Sequence, residues 1–99
     1  MRDPEVMRQV KEILAQISEI APGHAVELRI PPYSAIQCVE GPKHTRGTPP
    51  NVVEMSADSL VALSKGEILW SDAISDGRIH ASGERSDISD LFSQLASRN

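Results

Sequence analysis

The residues best equipped to hold a ligand lie in one run, Gly41-Pro42-Lys43-His44-Thr45-Arg46-Gly47-Thr48-Pro49-Pro50. Glycine-flanked backbone amides, two threonine hydroxyls and two cations are the groups that hold a carboxylate or a phosphate, because hydrogen bonds to a charged partner are the strong ones. Lys43, His44 and Arg46 are therefore the candidate contacts for an anionic head. The run contains neither a G-K-[ST] element nor a G-x-G-x-x-G turn, so it is no nucleotide-phosphate loop. The plainer reading is a solvated loop whose cations balance an acidic second half.

Other reactive residue types are scattered. His24, His44 and His80 have no i,i+4 partner and no Cys-x-x-Cys beside them, so they lack the spacing of a zinc site and read as exposed histidines. Cys38 could in principle work with His44 as nucleophile and base, but it sits in an alternating strand pattern beside Ile36 and reads as a small buried hydrophobe. Asp72 with Asp76, and Asp87 with Asp90, stand at helical spacing; acid/base catalysis needs a buried, perturbed member, and these read as first-turn or surface charges. No catalytic set, metal site or cofactor motif emerges.

Composition narrows the rest. Ninety-nine residues suit a single domain, 1–99. The net charge of −4 is uneven: residues 1–50 hold six Lys/Arg and six Asp/Glu, and residues 51–99 hold four against eight. An acidic half repels phosphate backbones, and three aromatics, Tyr33, Trp70 and Phe92, are too few for base-stacking platforms, so nucleic acid is not an expected partner. Aliphatic packing must build the core. A single cysteine forms no intramolecular disulfide, which points to a reducing, cytoplasmic setting. The charged start Met1-Arg2-Asp3-Pro4-Glu5 precedes no signal-peptide core and no stretch of roughly 20 apolar residues, so membrane insertion is not expected.

The elements that must position these residues follow from periodicity. Val6, Val10, Ile13, Leu14 and Ile17 make a helical stripe within Pro4 to Ile20, with Asp3 placed to cap it and Pro22-Gly23 to stop it. Val26, Leu28 and Ile30 alternate with Glu27 and Arg29, and Ile36 and Cys38 alternate with Gln37, which predicts two strands joined at Pro31-Pro32. The run 41–50 is a loop. Asn51 to Met55 is a short strand, and Ser56 is placed to cap a helix over Ala57 to Lys65 that Gly66 closes. Ala73 and Ile74 mark a short helical turn closed by Gly77; Ile79 and Ala81 mark a last strand; Ser86 is placed to cap a final helix carrying Ile88, Leu91, Phe92 and Leu95, with Asp87 and Asp90 in its first turn. This order predicts an α+β fold, a small and mostly antiparallel sheet of about four to five strands covered by helices.

The run NVVEMSADSLVALSKGEILWSDAISDGRIHASGERSDISDLF, from Asn51, resembles the C-terminal half of sterol carrier protein type 2 domains, with the caps at Gly66, Gly77 and Gly83 carrying the likeness. Upstream, AVELRIPPYSAIQCVEGPKHTRGTPPNVVEM is similar to the short sterol-carrier-family proteins of actinobacteria. The resemblance implies a helix-covered sheet that carries a fatty acyl chain, acyl-CoA or sterol-like molecule in an apolar cavity, without catalysis. It implies an apolar lining among Val53, Met55, Leu60, Leu63, Ile74, Ile79, Leu91, Phe92 and Leu95. Similar domains also occur beside mycothiol-dependent enzymes. The alternative is therefore an interaction or accessory module with a solid core and no ligand, in which the apolar stripe of the first helix and the Pro-rich loop 41–50 serve docking or a homodimer.

Overall fold

The computed structural model describes residues 3–41 and 51–98. Helix α1, Pro4–Ile20, begins where the sequence pattern puts it: the Asp3 carboxylate accepts the Glu5 and Val6 N–H groups at 2.9 and 3.4 Å, and Pro4, which has no N–H to leave unpaired, opens the first turn. Its stripe buries Val10, Leu14 and Ile17, while Arg8 pairs with Glu5 and Glu12 on the solvent side.

Four strands follow in part: β1 Val26–Ile30, β2 Ser34–Cys38, β3 Val52–Met55 and β4 Ile79–Ser82, arranged in the order β2-β1-β3-β4. β1 and β2 form an antiparallel pair from Val26↔Cys38 to Ile30↔Ser34, and β3 pairs antiparallel with β4 from Val52↔Ser82 to Met55↔Ile79. The central pair differs: β1 and β3 run parallel, with Leu28 opposite Val53. The sheet is thus mixed. β2 ends beside the start of β1, and β3 starts beside that same point, so the third strand must run in the direction of the first.

Asn51 joins the pieces at this end of the sheet. Its Nδ2 donates to the Ala25 carbonyl at 2.8 Å, its Oδ1 accepts the Arg85 N–H at 2.9 Å, and its own carbonyl accepts the Glu27 N–H at 3.0 Å. The residue is 5% exposed, so water cannot replace these partners. Asn51→Ala leaves two backbone groups unpaired and is expected to cost about 1–3 kcal/mol, read as a lower urea midpoint at unchanged slope. A midpoint equal to that of the native chain would show that the side chain bridges nothing of consequence.

Strand alternation sorts the sheet into two faces. Val26, Leu28, Ile30, Cys38, Val53, Met55 and Ile79 are buried under the helices, whereas Glu27, Arg29, Gln37 and His80 stand on the open face, where Arg29 pairs with Glu27 at 2.8 Å. Helix α2, Ala57–Ser64, starts at Ser56, whose hydroxyl accepts the Ser59 N–H. Helix α3, Trp70–Ser75, packs on β4, and helix α4, Ser89–Arg98, packs on α1 and α2. The start of α4 corrects the sequence reading. Ser86 is not its cap: the Ser86 hydroxyl donates to the Gly83 carbonyl in the turn before it, the helix begins three residues later, and Asp87 accepts the Ser89 N–H at 3.0 Å. Either residue type can serve as an acceptor here, so sequence spacing leaves their order open. Among the described residues no helix is long and apolar enough to cross a membrane.

Candidate functional site

A groove of about 720 Å³ lies between α4 and the chain that leaves α2. Local geometry makes it. Gly66 takes φ +74, in the left-handed region, and the Gly66 and Glu67 N–H groups donate back to the Leu63 and Ala62 carbonyls, closing α2 and swinging residues 68–70 toward α4. The backbone passes so close that a Cβ on Gly66 would sit 3.3 Å from the Ala96 Cβ.

One wall of the groove comes from Leu63, Ile68, Leu69 and Trp70. The other comes from α4, where Phe92 and Ala96 alternate with Ser89, Ser93 and Ser97. Those serines are four residues apart and therefore share a helix face that runs about 12 Å along the groove. The Trp70 and Phe92 rings stack with centroids 5.9 Å apart and planes 28° apart, a contact worth about 0.5–1.5 kcal/mol beyond the area it buries. Leu69 is 64% exposed at the rim, a large apolar side chain left facing solvent. Asp87, just ahead of α4, is the ionisable member of the wall, and hydrogen bonds from the Ser89 hydroxyl and N–H hold its carboxyl below the usual carboxylate range. No lysine, arginine or histidine among the described residues lines the groove.

The residues singled out by resemblance divide between this groove and the core. Val53, Met55, Leu60, Leu63, Ile79, Leu91, Phe92 and Leu95 are all at most 5% exposed and belong to one packed cluster; Leu63 and Phe92 also face the groove. Ile74 is elsewhere, 40% exposed beside Val52, Glu54 and His80 at a depression of about 400 Å³ along β4. Lys43, His44 and Arg46 lie outside the described residues. Sequence reasoning passed over Leu69 and the serines of α4. The signal for the serines was present, since Ser89, Ser93 and Ser97 repeat at the helical interval beside the apolar stripe.

The reactive residues stay apart. His24 Nδ1 lies 2.6 Å from Gln37 Oε1, His80 is exposed on the open face of the sheet, and Asp76 is held by Arg78 at the surface. No group of three or more metal-ligating side chains occurs among the described residues. Cys38 is fully buried, and burial pushes its thiol up from an ordinary 9.0 to about 11. A thiol protonated in the folded chain and ionised in the unfolded one makes stability fall as pH rises. Between pH 9 and 11 the unfolding free energy should drop by about 1.4 kcal/mol per pH unit, a drop that Cys38→Ala should remove. Identical pH dependence in the two proteins would contradict this.

The profile of a family described as bacterial SCP ortholog matches residues 2–93. Among solved structures, sterol carrier protein 2-like 2 from Aedes aegypti superposes with a TM-score of 0.52 at 16% identity, covering 93% of this chain and 97% of its own. Sterol carrier protein-2 from the same organism, solved in complex with the C16 fatty acid palmitate, gives 0.51 at 16% identity and covers 94% and 93%. At such identities the likeness speaks to the fold. Among curated proteins nothing matches the sequence.

Proposed function

Since the chain belongs to the bacterial SCP ortholog family, we propose that it binds and carries an apolar chain, without catalysis, in the groove between α4 and residues 63–70. The observation that carries this reading is the exposed Leu69 beside a half-buried Trp70 whose ring stacks on the buried Phe92, an apolar wall whose rim is left to solvent. The groove's volume of about 720 Å³ falls within the roughly 300–1,000 Å³ of small-molecule sites, and such sites combine apolar walls with a few polar groups, the part the α4 serines and Asp87 would play. The palmitate held by the Aedes aegypti relative lends support to an acyl chain as the occupant. Leu63 and Phe92 would touch the ligand directly, and Leu60, Leu91 and Leu95 would form the apolar ground behind them.

An accessory module docking through α1 has less in its favour. The helix spends Val10, Leu14 and Ile17 on the chain's own core and offers solvent mostly charged side chains. The lone buried thiol suits the cytoplasm of the cell that makes the protein.

Trp70 is the sole tryptophan, so its emission reports on the groove alone. Titration with a long-chain amphiphile is expected to shift that emission to the blue and to saturate at one ligand per chain. Unchanged emission, together with no lipid recovered by solvent extraction of the purified protein, would overturn the reading.

A further inference from the structure

Taking the groove as a binding site for an amphiphile, as proposed above, we infer that it selects a head that donates hydrogen bonds, a hydroxyl or an amine, and turns away a carboxylate, with Asp87 as the specificity-determining residue.

The place a ligand carboxylate would seek is already filled. Helix N-termini attract anions because their first N–H groups are unpaired and the helix dipole is positive there. At the start of α4, on the groove wall, the chain's own Asp87 carboxylate occupies that position, accepting the Ser89 N–H at 3.0 Å. A second carboxylate arriving at this end would meet a like charge and find the Ser89 N–H already taken.

The chemistry left over favours a donor. An ionised carboxylate accepts at about four lone-pair sites and donates at none. Ser89 takes part of that capacity through its N–H and hydroxyl. What remains can accept an O–H or N–H from a ligand head, and a carboxylate has no hydrogen to offer. Of the other polar groups on the wall, the Ser97 hydroxyl donates to the Gln94 carbonyl at 2.9 Å and is left to accept, whereas the Ser71 and Ser93 hydroxyls can donate or accept and do not discriminate.

Nearby charge strengthens the bias. Asp90 stands exposed in the first turn of α4, and Glu67 and Asp72 are exposed on the chain that forms the opposite wall. The described cations nearest in sequence, Lys65, Arg85 and Arg98, lie outside the wall: the Arg85 guanidinium lies against Gly41, where an added Cβ would sit 3.2 Å from its Nη1, and Arg98 pairs with Glu19 at 3.8 Å.

The test uses the full chain, Trp70 emission and three ten-carbon probes at neutral pH: decanoate, 1-decanol and decylamine. Equal chains hold the apolar contribution constant, and comparing the two ionic heads removes the general cost of bringing any charge to an apolar wall. Decylamine and 1-decanol are expected to bind more tightly than decanoate. In Asp87→Asn, which keeps the acceptor for Ser89 and loses the charge, the ratio of decylamine to decanoate affinity should fall about thirtyfold, one lost attraction and one lost repulsion of roughly fivefold each near 4 Å in water. Asp87→Ser, a second uncharged acceptor, should lower it similarly and guards against a fold defect peculiar to one variant. An unchanged ratio in both variants, or native chain binding decanoate as tightly as decylamine, would overturn the inference while leaving the groove a lipid site. Failure of all three probes to alter Trp70 emission would instead remove the lipid-binding reading, and this inference with it.

Discussion

Phe92→Ala is expected to lower stability by about 3–5 kcal/mol, the range for emptying an aromatic site in a packed core, and to abolish ligand binding in the groove. Phe92 is 3% exposed on the inner side of α4 and at the same time the ring on which Trp70 stacks. Its removal opens a void beneath α4 and frees the Trp70 indole from its position on the wall. A small domain has only about 5–15 kcal/mol in total, so part of the population should be unfolded in water. Urea melts followed by circular dichroism measure the first effect. Phe92→Leu separates it from the second: the core stays mostly filled, the stack is lost, and binding should weaken with a stability loss well short of the alanine value. Loss of binding absent from both variants would mean that the ligand does not use this wall.

Gly23→Ala should be comparably severe, for a different reason. Gly23 has φ +144, a backbone region nearly closed to other residues, and an added Cβ would fall 2.2 Å from the Val39 carbonyl oxygen and 2.7 Å from the Glu40 nitrogen. Both are backbone atoms and cannot rotate away. The joint they form also carries two hydrogen bonds, Ala25 N–H to Val39 and Val39 N–H to Ala21, which tie the end of β2 to the segment between α1 and β1. Backbone strain of about 1–3 kcal/mol and about 1 kcal/mol for each bond broken should together remove 3 kcal/mol or more. Hydrogen exchange offers the sharper measurement: protection of the Ala25 and Val39 amides should collapse before that of α2. A melting temperature within a degree of the native one would refute the steric argument.

Much of the local architecture was legible because short-range chemistry decides it. The stripe of α1, the Asp3 and Ser56 caps and the alternation of β1 each depend on residues within one or two turns of each other, and the folded chain keeps them where the spacing puts them. The start of α4 lies two residues beyond the place a Ser86 cap implies, because Ser86 and Asp87 are both acceptors and only the turn after β4 settles which of them meets the helix. The resemblance of residues 51–92 led to the right family. It could not sort Ile74, which an apolar pattern groups with Ile79 and which the folded chain leaves at the surface.

By itself, then, the amino-acid order determined which face of each element is apolar, where most helices begin and end, and the family to which the chain belongs. Tertiary structure alone decided that β3 runs parallel to β1, that eight of the aliphatic and aromatic side chains assigned to a lining are packed in one core, and that Leu63, Trp70 and Phe92 meet along an open groove. The physical reason is that periodicity records how each residue faces its own helix or strand. Whether an apolar face ends against another element or against solvent depends on contacts between residues far apart in the chain, and those exist only once the sheet and its helices have closed on one another.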